Sequence, residues 1–474
     1  MGKRDGEDKR KRGNARKHGG HSDQFPVSVS SLHFPSAAQS ISRTLSSLRR
    51  SALSISNRLR SIESDAAFVA EVAEHYGLPL VANERCGSWY ISPDIKAGSA
   101  YFKSTDGHTG QWDFSFRRLN LQILPLARQH GGCIIVDSTR RGKLMPDALS
   151  KTVPIWCAVM NRALFPSDAA YHAVQLPPNY LGASEESQIE LRIDGFVKSL
   201  KDLKLDLDDL RQQLGKPIRV AWANRSYFYP TDLHKGPDYN LFVLCSASKR
   251  VHGAEISEGG YIQGAGDDSE GWAQGLTPPV FWAHKATLLK TPEEDLPELV
   301  EELVKEHRGQ DTAEQATLVA PTRNLYISQT NASINDSGLY DLVIDCNARP
   351  AASEGDPKRL YLGCRSSKLG SRDLRQELEK VRAFVSSQLA TDPSRSLLVT
   401  CETGKDLSAG ALLAIICLFY NDDGSFTTSP ARRSIDKQFI RQRLAWIVSS
   451  KHDVNPSRPT LQSVNAFLME RPDY

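Results

Sequence analysis

The stretch Leu397-Leu-Val-Thr-Cys-Glu-Thr-Gly-Lys-Asp-Leu-Ser408 reads as three pieces in immediate succession. The residues leading into Cys401 predict a buried strand. Glu402 to Asp406 predict a tight polar loop, and the apolar run that follows, to about Tyr420, predicts a helix. A strand, a short loop and a helix N-terminus in this order present backbone N–H groups and the positive end of the helix dipole to an anion.

With Cys401 at the strand end and Thr403, Gly404, Lys405, Asp406 and Ser408 around the loop, this is the layout of a cysteine-phosphatase phosphate loop. A helix N-terminus there lowers a thiol pKa. Such a phosphatase also needs an arginine six residues after the cysteine, whose planar fork clamps two phosphoryl oxygens. Leu407 stands in that place, and Lys405 offers only a point charge. The stretch is expected to hold phosphate without hydrolysing it. A plain strand-to-helix turn around a buried cysteine has the same pattern.

At 474 residues the chain is long enough for two or three domains, and its net charge of +3 neither requires nor excludes a nucleic-acid partner. Lys3, Arg4, Lys9, Arg10, Lys11, Arg12, Arg16 and Lys17 crowd the first twenty residues. They read as a solvated tail or as a nucleic-acid arm or nuclear-import signal, so residues 1–40 are treated as a disordered basic tail. The cysteines at 86, 133, 157, 245, 346, 364, 401 and 417 form no Cys-x-x-Cys pair, and several lie in apolar runs. That is the usage of a reducing compartment, not of a disulfide framework or zinc site. The N-terminus has no apolar signal core, and the longest apolar run, Ala409 to Tyr420, is too short to cross a bilayer. A cytoplasmic monomer without a membrane partner is expected, the nucleus being the alternative through the basic tail.

Working outward, Ile41 to Tyr76 has helical periodicity, and Ser88 to Ile91 and Ala100 to Phe102 carry strand signals, with Asp106-Gly107 as a turn between strands. Gly132 to Val136 reads as a buried strand and Pro154 to Leu164 as a helix. Gly195 to Leu214 reads as one amphipathic helix, and Leu288 to Glu306 as another. Residues 41–306 make the first domain, the polar segment 307–318 a linker, and 319–474 a second domain. Strands alternate with helices in the second domain, which predicts an α/β fold with a largely parallel sheet.

Four further constellations invite chemistry. Asp137-Ser-Thr-Arg-Arg-Gly-Lys143 also follows a buried strand. Ser138, Thr139 and Gly142 let the backbone approach an anion, and Arg140, Arg141 and Lys143 neutralise it. Asp137 stands where a phosphatase has its cysteine and is able to hold a metal or accept a proton; a basic surface turn is the plain alternative. Second, Asp267, Asp268 and Glu270 follow a glycine turn and suit Mg²⁺ or sugar hydroxyls, unless the turn is simply solvated. Third, Lys103 to His108 precede Trp112, Phe114, Phe116, Arg117 and Arg118. A half-buried hairpin accounts for the aromatics better than base stacking does, but not for the two arginines. Fourth, Lys437 and Arg441 share a helix face able to follow an RNA backbone, and a solvated helix face explains the pattern about as well.

Arg60 to Glu63, Tyr101 to His108, Trp112 to Asn120, Asp137 to Pro154, Gln263 to Pro278, Cys401 to Ser408 and Asn455 to Arg458, taken as an ordered set, resemble the initiator tRNA phosphoribosyl transferase family, the tRNA 2′-O-ribosylphosphate transferases. The resemblance runs from about residue 60 to the end. It implies a family-specific α/β N-terminal domain and a C-terminal domain similar to dual-specificity phosphatases, with a P-loop. It further implies transfer of phosphoribosyl from 5-phosphoribosyl 1-pyrophosphate to the 2′-OH of the T-stem purine at position 64 of initiator tRNA, which keeps that tRNA out of elongation. Mg²⁺ is expected to neutralise the pyrophosphate leaving group. The donor is assigned to Asp137 to Lys143, Mg²⁺ or ribose to Asp267 and Asp268, and a second phosphate to Cys401 to Ser408. Asp137, Asp268, Asp106 and His108 are the catalytic candidates, and Arg117, Arg118, Lys437 and Arg441 the tRNA contacts. A cysteine-dependent phosphatase and a non-catalytic tRNA- or phosphate-binding protein are the competing readings.

Overall fold

The computed structural model describes residues 54–226, 236–251, 260–308, 315–330, 338–347, 356–365, 367–428 and 435–469. They lie in the compact unit Ser51–Tyr474. The basic stretch 1–40 and the start of the first expected helix fall outside the described residues.

The chain enters on α1 (Ile55–Tyr76). Its N-terminal N–H groups are capped twice: Asn57 N donates to Ser54 Oγ, and Ile55 N and Ser56 N donate to the Glu293 carboxylate at 2.8 Å each. A carboxylate at that position also complements the helix dipole.

Five parallel strands follow: β1 (Leu80–Asn83), β2 (Lys96–Ala100), β3 (Gly132–Asp137), β4 (Ile218–Ala223) and β5 (Asn240–Ser246), in spatial order β2-β1-β3-β5-β4. Both faces of β3 and β5 are buried, which is why their sequences are unbroken apolar runs. Side chains alternate between the two faces. Cys133, Ile135, Phe242 and Leu244 pack against α2 (Ile123–His130) and α3 (Val153–Leu164). Ile134, Val136, Val243 and Cys245 pack towards α1 and α7 (Pro278–Lys290).

The second sheet has the order β6-β7-β10-β8-β9. Its strands are β6 (Thr317–Leu318), β7 (Leu325–Gln329), β8 (Leu342–Asp345), β9 (Arg359–Tyr361) and β10 (Leu397–Cys401). All pair in parallel except β6, which runs antiparallel to β7. Behind it lie α9 (Ser367–Thr391), the almost wholly buried α10 (Leu407–Phe419), α11 (Lys437–Ser450) and α12 (Arg458–Met469). The α/β expectation therefore holds for both sheets. The segment read as a linker is narrower than 307–318, because α8 (Leu296–Arg308) enters it and β6 leaves it.

Several local expectations are corrected. Ser88 to Ile91 is not a strand: Gly87–Tyr90 forms a 3-10 turn that buries Trp89 and Tyr90. Strand β2 ends at Ala100. The N–H groups of Tyr101 and Phe102 donate to the side-chain oxygens of Asn120 and Asn83, at 2.8 and 2.7 Å, instead of to a ladder. Asp106-Gly107 belongs to a 3-10 turn, Ser104–Gly107, and not to a hairpin. Trp112, Phe114 and Phe116 lie on irregular chain; the first two are buried. The single helix expected over 195–214 is two, α5 (Ile193–Lys201) and α6 (Leu207–Leu214), after the short α4 (Ala183–Glu190). Lys204 adopts φ 57°, and Asp206 caps the restart by accepting from Asp209 N at 2.9 Å. The helix expected over 288–306 is likewise broken between α7 and α8, where Pro292 follows Thr291.

Candidate functional site

In the first sheet β1 and β3 are neighbours, and the chain leaves them towards opposite edges. Ligands of open α/β sheets bind outside the carboxyl ends of strands at such a switch point. Asn83 ends β1 there, and Asp137 ends β3.

Asp137 is fully buried and surrounded by donors. Asn83 Nδ2 donates to its Oδ2 at 2.8 Å, and Ser138 N to its Oδ1 at 2.7 Å. Arg85 grips both oxygens, Nε on Oδ2 at 3.2 Å and Nη2 on Oδ1 at 2.9 Å. The Cys86 thiol donates to Oδ1 at 3.0 Å; burial, then the Asp137 charge, push that thiol well up, so it stays protonated. Both of its oxygens are taken up by these donors. Its evident work is to fix Arg85. Arg85 also reaches the Asp267 carboxylate and the Ser138 carbonyl, and was not singled out from the sequence. Nothing in the Glu84-Arg85-Cys86 context distinguishes it from an ordinary surface arginine.

The two loops read separately along the chain are packed together. Gln263 Oε1 accepts from Gly142 N at 3.1 Å, while its Nε2 donates to the Lys143 carbonyl at 2.7 Å. Gly264, at φ 71°, lies so close that a Cβ would meet the Thr139 carbonyl at 2.5 Å. Arg140, Arg141 and Gly142 are exposed at the crest, whereas Ser138 and Thr139 are buried. Arg58 of α1 donates to the Ala265 carbonyl at 3.3 Å and lies over Trp272; burial lowers its pKa while the nearby Asp268 charge raises it. Asp267 and Asp268 thus sit beside Arg85 and Arg58 respectively. Among the described residues no group of three or more His, Cys, Asp or Glu side chains forms a ready metal site.

Asp147 is a second focus. It pairs with Lys143 at 3.1 Å, with the almost fully buried Lys151 at 3.4 Å, and lies 3.6 Å from His108 Nε2. Lys151 also meets Glu185 at 3.2 Å, which in turn accepts from Trp112 Nε1 at 3.1 Å. This network joins the Ser104–Gly107 turn to the Lys143 loop. Asp106, on that turn, is pushed up by burial and by the nearby Asp113 charge, against Lys103, Arg118 and Arg117.

Arg117, Arg118, Lys437 and Arg441 converge on the seam between the two sheets. Arg117 Nη1 donates to the Pro456 carbonyl at 3.4 Å, Arg118 donates to Asn455 Oδ1, and Arg441 lies over Phe116. A 270 Å³ cleft is lined by Asp106, Arg117, Lys437 and Arg441.

In the second sheet, Cys401 ends β10, buried, with its Sγ 3.1 Å from Ser408 Oγ. The N–H groups of Glu402, Gly404 and Lys405 donate to Asn347 Oδ1, the Cys401 carbonyl and Thr403 Oγ1. Asp406 accepts from Ser457 N at 2.8 Å. The turn has the expected strand-to-helix form, with those N–H groups engaged by the protein itself.

Two stretches of the chain match known family models. Residues 48–305 match the model described as the Rit1 N-terminal domain, and 358–468 that of the Rit1 DUSP-like domain. The chain belongs to the Rit1 family. A Rit1 relative from Saccharomyces cerevisiae, named tRNA A64-2′-O-ribosylphosphate transferase, is 31% identical over 507 residues, covering 94% of this chain and 98% of its own length. An uncharacterised protein of Schizosaccharomyces pombe is 36% identical over 436 residues, 87% of this chain and 94% of its own. The Yvh1 phosphatase domain from Chaetomium thermophilum covers 32% of this chain and 95% of that one at 16% identity, with a TM-score of 0.26, too low to bear weight. The DUSP-like part of this Rit1 chain carries Leu407 in the place of the phosphatase arginine. Among the described residues no helix is long and apolar enough to cross a membrane.

Proposed function

We infer that this chain is a pentosyl-type glycosyltransferase that moves a ribosyl phosphate onto the 2′-OH of nucleotide 64 of initiator tRNA. The observation that carries the reading is the near full-length match to the yeast enzyme of that name. The donor proposed is 5-phosphoribosyl 1-pyrophosphate. Its charge needs an anion site, and the loop of Ser138, Thr139, Arg140, Arg141, Gly142 and Lys143 at the switch point supplies exposed cations above buried hydroxyls.

Asp267 and Asp268 fit Mg²⁺ only if substrate oxygens complete its shell, since Arg85 already shares Asp267. When bound there the ion would neutralise the departing pyrophosphate. Asp137 acts as a positioning residue for Arg85. Asp106 is the proposed general base: burial and then the Asp113 charge raise its pKa, and it lines the cleft where basic residues of both domains meet. Incubating the protein with labelled donor and initiator tRNA tests the reading. Label in nucleotide 64 is expected; its absence with an active yeast enzyme as control contradicts it.

A further inference from the structure

Residues Ala148–Thr152 wind as one turn of π-helix ahead of α3, and all five are buried. Such turns are frequent at functional sites. This one carries Lys151, whose side chain is 5% exposed and lies 3.4 Å from Asp147 Oδ1 and 3.2 Å from Glu185 Oε1. A cation taken out of water needs its partners, and a well-packed apolar side chain in its place is often the more stable arrangement. What the ion pair adds is a fixed place for two carboxylates.

Both carboxylates reach further. Glu185 Oε1 also accepts from Trp112 Nε1 and Thr109 Oγ1, at 3.1 Å each. The second oxygen of Asp147, Oδ2, lies 3.1 Å from Lys143 Nζ and 3.6 Å from His108 Nε2. One carboxylate thus touches the last residue of the 137–143 loop and the residue that follows the Ser104–Gly107 turn. The backbone locks that turn onto the same π-helical segment. A Cβ on Gly107 would meet the Asp147 carbonyl at 2.7 Å and Thr152 Oγ1 at 2.8 Å. At the other end of the turn, Thr152 Oγ1 donates to the Lys103 carbonyl at 3.1 Å.

We propose that Asp147, anchored by the buried Lys151, is a positioning residue that orients Lys143 towards the donor and holds the Asp106 turn at a set distance from it. The proposal rests on the donor and general-base assignments made above. A lysine ammonium has three N–H groups, so the pairing with Asp147 leaves two for phosphoryl oxygens. Misplacing reacting groups by about 1 Å costs up to about a hundredfold in rate, which makes such a brace matter for kcat.

The test measures equilibrium donor binding and steady-state transfer on the full-length protein, for wild type, Asp147→Asn, Lys143→Ala and the double variant. By charge alone, removing a carboxylate beside an anion site tightens donor binding. By position, Asp147→Asn is expected to weaken it about threefold or more, to lower kcat at least about tenfold, and to leave tRNA affinity within about twofold. In the Lys143→Ala background, Asp147→Asn is expected to weaken donor binding no further, because the effect acts through Lys143. Unchanged kcat or tightened donor binding in Asp147→Asn overturns the proposal. So does the same fold loss of donor affinity in both backgrounds, which is the mark of a merely structural role. If Asp147→Asn does not fold, Asp147→Asn with Lys151→Met removes both charges of the buried pair and is read in the same way. Should the wild type bind the donor yet transfer nothing, the transferase reading fails, and the donor affinities alone decide whether Asp147 acts through Lys143.

Discussion

Asn83 Nδ2 donates at 2.8 Å to Asp137 Oδ2, while Asn83 Oδ1 accepts from Phe102 N at 2.7 Å. One buried amide thereby ties the anion loop after β3 to the segment that carries Tyr101 and lies under Arg118. The switch point and the domain seam are adjoining parts of one structure.

Asp137→Asn keeps the shape of that junction but removes the charge under Arg85. Taking one partner from a buried ion pair costs about 3 kcal/mol or more. The variant is expected to unfold at clearly lower denaturant and to lose transfer, because Arg85 no longer holds Asp267 and the Ser138 carbonyl in place. Arg85→Leu combined with Asp137→Asn should be less destabilising than the sum of the single changes. Strict additivity in urea titrations would show that the pair is not coupled.

The general-base assignment makes a pH prediction. Asp106 is raised, by burial first and then by Asp113. Transfer needs it ionised, so the acid limb of kcat should lie above the ordinary aspartate range. Asp113→Asn removes a repelling charge and should move that limb to lower pH. Asp106→Asn should abolish kcat with tRNA affinity little changed. A limb that stays put in Asp113→Asn removes Asp106 from the role.

Asp65 on α1 is fully buried, bonded to the Tyr261 hydroxyl at 2.9 Å and 3.5 Å from Arg225. Burial lifts it to about 7, against Tyr261 and Arg225. A folded value above the unfolded one means stability that is fully present below about pH 4 and lost as pH rises through about 7. The separation is worth up to about 4 kcal/mol at about 1.4 kcal/mol per tenfold. Urea midpoints of the wild type should therefore fall between pH 5 and pH 8 more steeply than those of Asp65→Asn. Parallel curves would rule this out.

Phosphatase chemistry is expected to be absent. With Leu407 in place of the arginine fork, wild type and Cys401→Ser should give the same background with a phosphomonoester. Turnover that disappears in Cys401→Ser would restore the competing reading.

The parts of this molecule legible in the sequence are those governed by local period and by strand-loop-helix order. Strands β3 and β10 read directly, because burial on both faces leaves an unbroken apolar run. Trp89 and Tyr90 misled because aromatic residues favour strands, whereas tertiary burial places them on a 3-10 turn. Helices α5 and α6 were merged because their apolar positions continue in phase across Lys204, whose positive φ has no clear signature. At the site, the loops at 137–143 and 263–268 could be found, but not their mutual packing through Gln263 and Gly264, nor Arg85, Asp147, Lys151 and Asp65. Those residues matter through partners 50 or more positions away in several cases, such as Arg85 with Asp137, and sequence period carries no information at that range.

The donor is placed at the carboxyl ends of β1 and β3, and kinetics test that placement directly. Transfer of labelled phosphoribosyl to initiator tRNA, with the donor varied, should be compared for wild type, Lys143→Ala and Asp268→Asn. Both changes should abolish transfer or raise the donor KM by more than about tenfold, with tRNA affinity unchanged, since each removes a charged contact worth about 1.5–3 kcal/mol. Wild-type kinetics in both variants would contradict the placement of the donor at the carboxyl ends of β1 and β3.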